Sequence, residues 1–282
     1  MEIVSTIEDT RERVAAARGR GLTIALVPTM GALHDGHLSL VRAAARDGYV
    51  VMSIFVNPAQ FGPQEDFERY PRDPAGDAAK AESAGVHLVL APSVEEMYDG
   101  DDATMVEVGG TLTKGLCAPF RPGHFRGVAT VVAKLLNIVQ PDRAYFGEKD
   151  YQQLQVIKRM ARDLRMPVEI VGVPTAREPD GLAMSSRNAY LSQDERRASR
   201  ALNEALSAAA EMVRRGNRDA QAVAAWARER IGQEPLAAVQ YVEVCDADTL
   251  EPLARIGGKA VIAAAVVVGR TRLIDNVIVE GG

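Results

Sequence analysis

His34 and His37 lie three residues apart, so they share a face of any helix that begins near Asp35 or Gly36. Two imidazoles on one face can donate hydrogen bonds to phosphate oxygens whose charge grows in a transition state. Gly36 between them lets a phosphate approach the backbone, and the N–H groups at a helix start favour an anion. The competing reading is a pair of ordinary surface histidines in a turn. The place of the run, after a buried-type strand and at the opening of a helix, favours phosphate chemistry. Lys149, in Gly147-Glu148-Lys149-Asp150, also sits between a strand and a helix, where its ammonium can neutralise phosphate charge. Asp150 is open to three roles: holding ribose hydroxyls, binding Mg²⁺, or capping the helix that starts at Tyr151.

These residues need elements to position them. Apolar runs at 22–27, 50–55, 86–90, 143–146 and 168–173 are continuous, as in strands buried on both faces, and helical stretches at 37–46, 77–84, 128–139 and 151–163 separate them. That alternation predicts an α/β fold, a Rossmann-like doubly wound parallel sheet. Ligands of such sheets bind beyond the carboxyl ends of the strands. The segments there are Pro28-Thr29-Met30-Gly31-Ala32-Leu33-His34-Asp35-Gly36-His37, the run from Asn57 through Gln60 to Phe61, and Gly147 to Asp150. Past Pro174 the rhythm changes to a turn-rich stretch, two Ala- and Arg-rich helices at 192–216 and 219–231, and strands at 239–245, 259–268 and 272–280. The expected division is a domain of residues 1–175 and a second, smaller α+β domain of residues 176–282.

Of the 282 residues 47% are hydrophobic and 25% charged, which suffices for a core without staples. Cys117 and Cys245 have no paired spacing, so neither a disulfide framework nor a zinc cluster is expected, and a reducing cytoplasm fits. Residues 1–21 carry charges throughout and lack the apolar run of a signal peptide or membrane anchor, so the protein is expected to be cytoplasmic, with no membrane partner. Lys plus Arg at 33 against Asp plus Glu at 38 gives a net charge of −5, which argues against a nucleic-acid partner. No carboxylate cluster forms a dedicated metal cage.

Neither a P-loop nor a Gly-x-Gly-x-x-Gly opens the first helix, which sets aside P-loop kinases and dinucleotide dehydrogenases. A His-x-Gly-His element after the first strand resembles the signature of the nucleotidyltransferases and class I aminoacyl-tRNA synthetases, which attack the α-phosphate of ATP. That class carries a downstream loop that grips pyrophosphate. Met184-Ser185-Ser186-Arg187-Asn188 is the candidate, since two hydroxyls and a guanidinium can bind several phosphate oxygens.

The resemblance narrows further. The runs Pro28 to His37, Ile54 to Phe61, Arg69-Tyr-Pro-Arg72, Arg121-Pro-Gly-His-Phe-Arg-Gly127, Phe146 to Gln153, Gly181 to Asn188 and Arg272-Leu-Ile-Asp-Asn276 together resemble the pantoate-β-alanine ligase family over nearly the whole chain. This resemblance implies ATP-dependent ligation of pantoate and β-alanine to pantothenate through a pantoyl adenylate, with ATP and Mg²⁺ used together and a homodimer as the assembly. It implies that Met30 to His37 line the ATP site, with His34 and His37 at the phosphates and His37 as proton donor. Gly147, Glu148, Lys149 and Asp150 would meet ribose and phosphates, backbone near Ala176 the adenine, and Met184, Ser185, Ser186 and Arg187 the phosphates. Gln60 and Gln153, with Asn57 beside Gln60, would hold pantoate. The smaller domain would close as a lid that keeps water from the adenylate.

The family commonly has Met where Ala59 stands, so the pantoate pocket is expected to be slightly looser. Cys117 is assigned no catalytic role, His87 and His124 are expected to be structural, and Arg121 and Arg126 are open between anion binding and a structural or solvated place. The rival readings are a nucleotidyltransferase of the same superfamily, an RNA-partner protein and a non-catalytic ATP-binding protein.

Overall fold

The computed structural model describes residues 1–63 and 65–281. Six strands, β1 (Glu2–Val4), β2 (Ile24–Thr29), β3 (Tyr49–Ile54), β4 (Leu88–Leu90), β5 (Arg143–Gly147) and β6 (Glu169–Val173), form one sheet in the order β1-β4-β3-β2-β5-β6. Every pairing in it is parallel. Helices α1 (Ile7–Gly19), α2 (Asp35–Ala44), α3 (Pro74–Ala84), α4 (Val94–Met97), α5 (His124–Val139) and α6 (Tyr151–Asp163) lie between the strands in sequence. From β2 the chain winds outward through β3 and β4, then crosses back to the other side of β2 for β5 and β6. The reversal between β2 and β5 is the switch point beyond which such sheets bind ligands. This is the Rossmann-like doubly wound sheet expected from the alternation of apolar runs.

The core explains those runs. Ala25, Val27, Val50, Met52, Val89 and Tyr145 from the strands pack with Leu40, Val41 and Ala44 of α2. Helix α5 is buried on nearly every side, as a helix that is apolar all round should be. It begins at His124, four residues before the expected start, because Gly123 at φ +79° turns the chain into it without a side-chain cap. Two elements at the N-terminus have no counterpart in the sequence reading. Helix α1 buries only Thr10, Val14 and Ala17, a stripe too narrow to show as a periodic apolar pattern, and β1 is a three-residue edge strand beside β4.

The chain divides into two compact units. The first comprises Met1–Val108, Arg121–Glu148 and Val156–Pro174; the second comprises Gly109–Phe120, Lys149–Gln155 and the residues from Thr175 on. In the second unit α7 (Gln193–Arg214) and α8 (Ala220–Gly232) precede an antiparallel sheet of β7 (Ala237–Asp246), β8 (Lys259–Val268) and β9 (Thr271–Glu280) in the order β7-β8-β9. Ser192 and Glu195 form a capping box that starts α7. Leu202, Leu206 and Val213, four and seven residues apart along α7, pack with Val223 and Ile231 of α8 against Val244, Ile262 and Val266. Among the described residues no helix is long and apolar enough to cross a membrane.

One close approach matters for the site. A Cβ added at Gly127 in α5 would lie 2.1 Å from the Ala59 carbonyl oxygen, in the 3-10 turn Pro58–Gln60. Gly127→Ala should therefore destabilise the protein by about 1–3 kcal/mol, the usual overpacking cost, although helix propensity alone favours alanine by roughly 1 kcal/mol. Urea denaturation measures it, with Gly19→Ala, which meets open space, as the control. A neutral Gly127→Ala would mean that α5 does not press on the turn.

Candidate active site

The chain leaves β2 through two consecutive left-handed residues, Gly31 at φ +80° and Ala32 at φ +49°. This turn is held from a distance. The Asp77 carboxylate on α3, 1% exposed, accepts from the N–H groups of Ala32 (2.8 Å) and Leu33 (2.6 Å). One turn later on the same helix, Lys80 Nζ donates to the Leu33 carbonyl at 2.8 Å. Upstream, Thr29 Oγ1 donates to Ser53 O and accepts from Gly31 N, so the segment is fixed on both sides before it reaches His34.

His34 is the N-cap of α2, in extended conformation, and its Nδ1 accepts from Gly36 N at 3.1 Å. His37 closes the reciprocal half of a capping box, its Nδ1 accepting from His34 N at 3.3 Å. The two rings lie 4.0 Å apart at 34°. A ring nitrogen that accepts an N–H carries no proton, so in each neutral imidazole the proton sits on Nε2. The helix start thus orients two Nε2–H donors, as phosphate binding requires. Asp35 is exposed and pairs loosely with Arg42 at 3.8 Å.

Beyond β3, Asn57 caps the turn that carries Gln60. Asn57 is 1% exposed and its amide is fully used: Nδ2 donates to Gln60 Oε1 (3.1 Å) and Gly127 O (3.2 Å), and Oδ1 accepts from Tyr98 Oη (2.8 Å) and Ala59 N (3.3 Å). Burial, then the charge of Asp102, pushes the Tyr98 hydroxyl up to about 12, so it stays a donor. Gln60 Nε2 lies 3.0 Å from Met30 Sδ, which brings the expected pantoate residue against the loop that leads to His34.

The second unit carries Lys149, Asp150, Gln153, Ala176 and Met184 to Arg187, and several of them have a local support. Lys149 and Asp150 follow β5 in a single 3-10 turn and form an ion pair at 3.6 Å. Asn276 Nδ2 on β9 donates to the Lys149 carbonyl at 2.9 Å. Ala176 and Met184 are bonded through Met184 N to Ala176 O, at the base of a hairpin whose arms bridge at Arg177 and Ala183. Arg177 makes a two-point pair with Asp275 of β9 at 2.7 and 3.0 Å. Ser185 caps the turn Ser186–Tyr190 by accepting from Arg187 N at 3.3 Å. Asn188 and Arg196 both reach Glu178, and Arg196 also reaches Asp180, so residues 176–191 form a tied structure. Gln153, on α6, belongs to this unit as well.

Several supporting residues escape a reading of the sequence. Asp77, Lys80 and Tyr98 act on segments 41 to 47 residues away, and no local spacing signals such a pairing. Asn276 stands in the run Arg272 to Asn276, which resembles the family yet shows no chemistry of its own in sequence.

A Rossmann-like parallel sheet with a His-x-Gly-His helix start at the carboxyl end of β2 defines a class, the α/β enzymes built on that element. The comparisons narrow it. The chain matches the Pantoate-beta-alanine ligase family over residues 2–278. It is 57% identical over 281 residues to pantothenate synthetase of Moorella thermoacetica, with 99% of each chain covered. The solved structure of pantothenate synthetase from Thermus thermophilus superimposes with a TM-score of 0.94 at 48% identity, covering 98% of this chain and 99% of that one. That of pantoate-β-alanine ligase from Francisella tularensis, complexed with β-γ ATP and β-alanine, gives 0.78 at 31% identity, with 99% and 97% covered. The chain belongs to the pantoate-β-alanine ligase family.

Two outcomes are expected. Asp77→Asn replaces one acceptor with an N–H that faces another N–H, so it should cost about 1.5–3 kcal/mol in urea denaturation and lower turnover by roughly ten- to a hundredfold. A variant with wild-type turnover would show that the loop holds itself. The Glu178 carboxyl is held below its ordinary 4.5 mainly by the hydrogen bond from Arg196, against burial and with help from Asn188. A depressed pKa stabilises above the ordinary value and is lost as pH falls through the folded one. Limited proteolysis of residues 176–191 should therefore accelerate as pH drops below 4.5, and a rate flat with pH there would refute the tie.

Proposed function

We propose that the two Nε2–H donors at the start of α2 bind the α-phosphate of ATP while pantoate is activated, and that the chain ligates pantoate and β-alanine to pantothenate. The observation that carries this reading is the capping geometry: both Nδ1 atoms are occupied by backbone N–H groups. In the first step a pantoate carboxylate oxygen bonds to the α-phosphorus and the bond to pyrophosphate breaks. In the second the β-alanine amine bonds to the acyl carbon, AMP departs with the electron pair, and the amine loses a proton. Adenylation is needed because a free carboxylate is a poor acyl donor.

His34 and His37 stabilise charge on the phosphate, and His37 is the proton donor. Lys149 neutralises the phosphates, and Ser185, Ser186 and Arg187 take the departing pyrophosphate. Gly147, Glu148 and Asp150 meet the ribose and phosphates, backbone near Ala176 meets the adenine, and Met184 lies at the phosphates with Ser185, Ser186 and Arg187. Gln60 and Gln153 hold pantoate, whose hydroxyls and carboxylate suit amides that both donate and accept. Asn57 serves by ordering Gln60, since its own amide is fully used. Mg²⁺ enters with ATP as part of that substrate, bound through the phosphates; among the described residues no group of three or more His, Cys, Asp or Glu could hold a metal ion of its own. The buried free thiols of Cys117 and Cys245 suit the cytoplasm, and the homodimer follows from the family resemblance.

ATP-pyrophosphate exchange should require pantoate, and β-alanine should convert it into net AMP formation. Exchange without an acid, or none with pantoate and Mg²⁺, would sink the assignment and favour a nucleotidyltransferase. His37→Ala and Lys149→Ala should each slow adenylation by about a hundred- to a thousandfold. Ser185→Ala should lose less, because Ser186 and Arg187 remain.

A further inference from the structure

In the first unit, Arg121 and His124 meet at the Gln60 carbonyl, and Glu65 holds Arg121 from the far side of its guanidinium. The Arg121 guanidinium grips Glu65 at two points, Nε to Oε1 at 2.7 Å and Nη2 to Oε2 at 2.6 Å. Its Nη1 lies 2.9 Å from His124 Nε2, and its Nη2 lies 3.4 Å from Gln60 O. His124 Nδ1 lies 2.9 Å from the same carbonyl oxygen. His124 is 8% exposed, and its ring packs edge-on against Phe125.

The chemistry of the partners fixes the direction of each bond. A guanidinium only donates, so His124 Nε2 must accept from it. In the neutral ring the proton then sits on Nδ1, and Nδ1–H donates to Gln60 O. The Glu65 carboxylate fixes the plane of the guanidinium, which fixes the tautomer and orientation of the imidazole. Burial raises the Glu65 carboxyl, but the hydrogen bonds and charge of Arg121 outweigh it and hold the group below its ordinary value. The carboxylate therefore stays charged where the enzyme works.

Gln60 is thus clamped twice. Asn57 holds its side-chain oxygen, and the His124 and Arg121 donors hold its main-chain oxygen, while Gly127 of α5 presses on the turn below. We propose that His124, its Nδ1–H tautomer locked by the Glu65–Arg121 pair, is a positioning residue that aims the Gln60 amide at the carboxylic-acid substrate. The inference rests on the reading of Gln60 as a pantoate ligand. It predicts an effect confined to the acid, because the clamp acts on Gln60 and not on the His34–His37 helix start.

Two amides that mimic different ring nitrogens test it. His124→Asn puts an N–H donor where Nδ1 stands, and His124→Gln reaches toward Arg121 and leaves Gln60 O without the donor. With ATP saturating, His124→Gln should raise KM for pantoate about tenfold, the scale of one lost hydrogen bond, and His124→Asn should restore most of it. KM for ATP should stay within about twofold in both. Equal effects of Asn and Gln, or parallel shifts in both KM values, would overturn the proposal in favour of a general packing role. Glu65→Ala, on a partly exposed side chain, gives a second reading should the His124 variants fold poorly: a rise of about threefold in KM for pantoate alone supports the lock, and no change refutes it. Gln60→Ala separates the premise from the inference. If it leaves KM for pantoate unchanged, Gln60 is not a pantoate ligand and the proposal falls with that reading; if it raises KM while His124→Gln does not, only the clamp fails.

Discussion

Two left-handed residues in succession, Gly31 and Ala32, are the constraint on which the first unit's part of the site depends. Glycine accepts that geometry freely; alanine does so at a cost of roughly 1–2 kcal/mol, and a chain free to relax would leave it. The Asp77 carboxylate offsets the cost by taking the N–H groups of Ala32 and Leu33 together. A charged acceptor with two donors is among the stronger protein hydrogen-bond arrangements, and its burial leaves it no alternative partner in water. A Cβ at Gly31 would lie 2.8 Å from that same carboxylate, so the glycine and the aspartate require each other. The positions of His34 and His37 follow from this turn, because the helix they open starts where it ends.

The same logic recurs at the Gln60 side chain with neutral groups. A buried polar network stabilises only if every member is satisfied, and a fully satisfied one admits a single arrangement. Asn57, with both donors and both acceptor sites used, is such a member. An amide that recognises a substrate needs this rigidity, because a freely rotating Gln presents donor and acceptor equally and discriminates little. Ala59 fits the arrangement. Its carbonyl oxygen lies 2.1 Å from the place a Gly127 Cβ would occupy, so the tight packing at this turn involves its backbone rather than the length of its side chain.

Strands β2 to β6 and the paired histidines were legible in sequence because each leaves a local signature, a continuous apolar run or a fixed spacing beside one. The family was legible for a different reason, since its motifs recur in order along nearly the whole chain. What supports the site was not. Asp77 acts 45 residues from Ala32 and His124 acts 64 residues from Gln60, and single polar residues at such separations carry no periodicity. Helix α1 was missed because a helix that buries three small or mid-sized residues resembles a polar loop in composition. Residues 175–188 read as a turn-rich stretch because Pro179, Gly181 and the turn formers dominate their composition. The bonds that tie them come from Arg196 on α7 and Asp275 on β9.

The second unit shows why two earlier segments of the chain, Gly109–Phe120 and Lys149–Gln155, belong with its C-terminal part. Side chains alternate along a strand, so β9 presents Leu273, Val277 and Val279 to one face and Arg272 and Asn276 to the other. Helices α7 and α8 cover the first face. Strand β8 is nonetheless buried along nearly its whole length on both faces, so the second face needs a cover of its own. Arg272 reaches the Cys117 sulfur, Tyr241 of β7 bonds to the same sulfur, and Asn276 bonds to the Lys149 carbonyl. Gln152 then binds Cys117 N and the carbonyls of Leu112 and Gly115, joining the two covering segments to each other. The run from Arg272 to Asn276 thereby acquires a physical reason. It anchors the cover of a sheet that would otherwise expose an apolar face, and because Lys149 lies in that cover, closing the core and fixing the Lys149 backbone are one structural event.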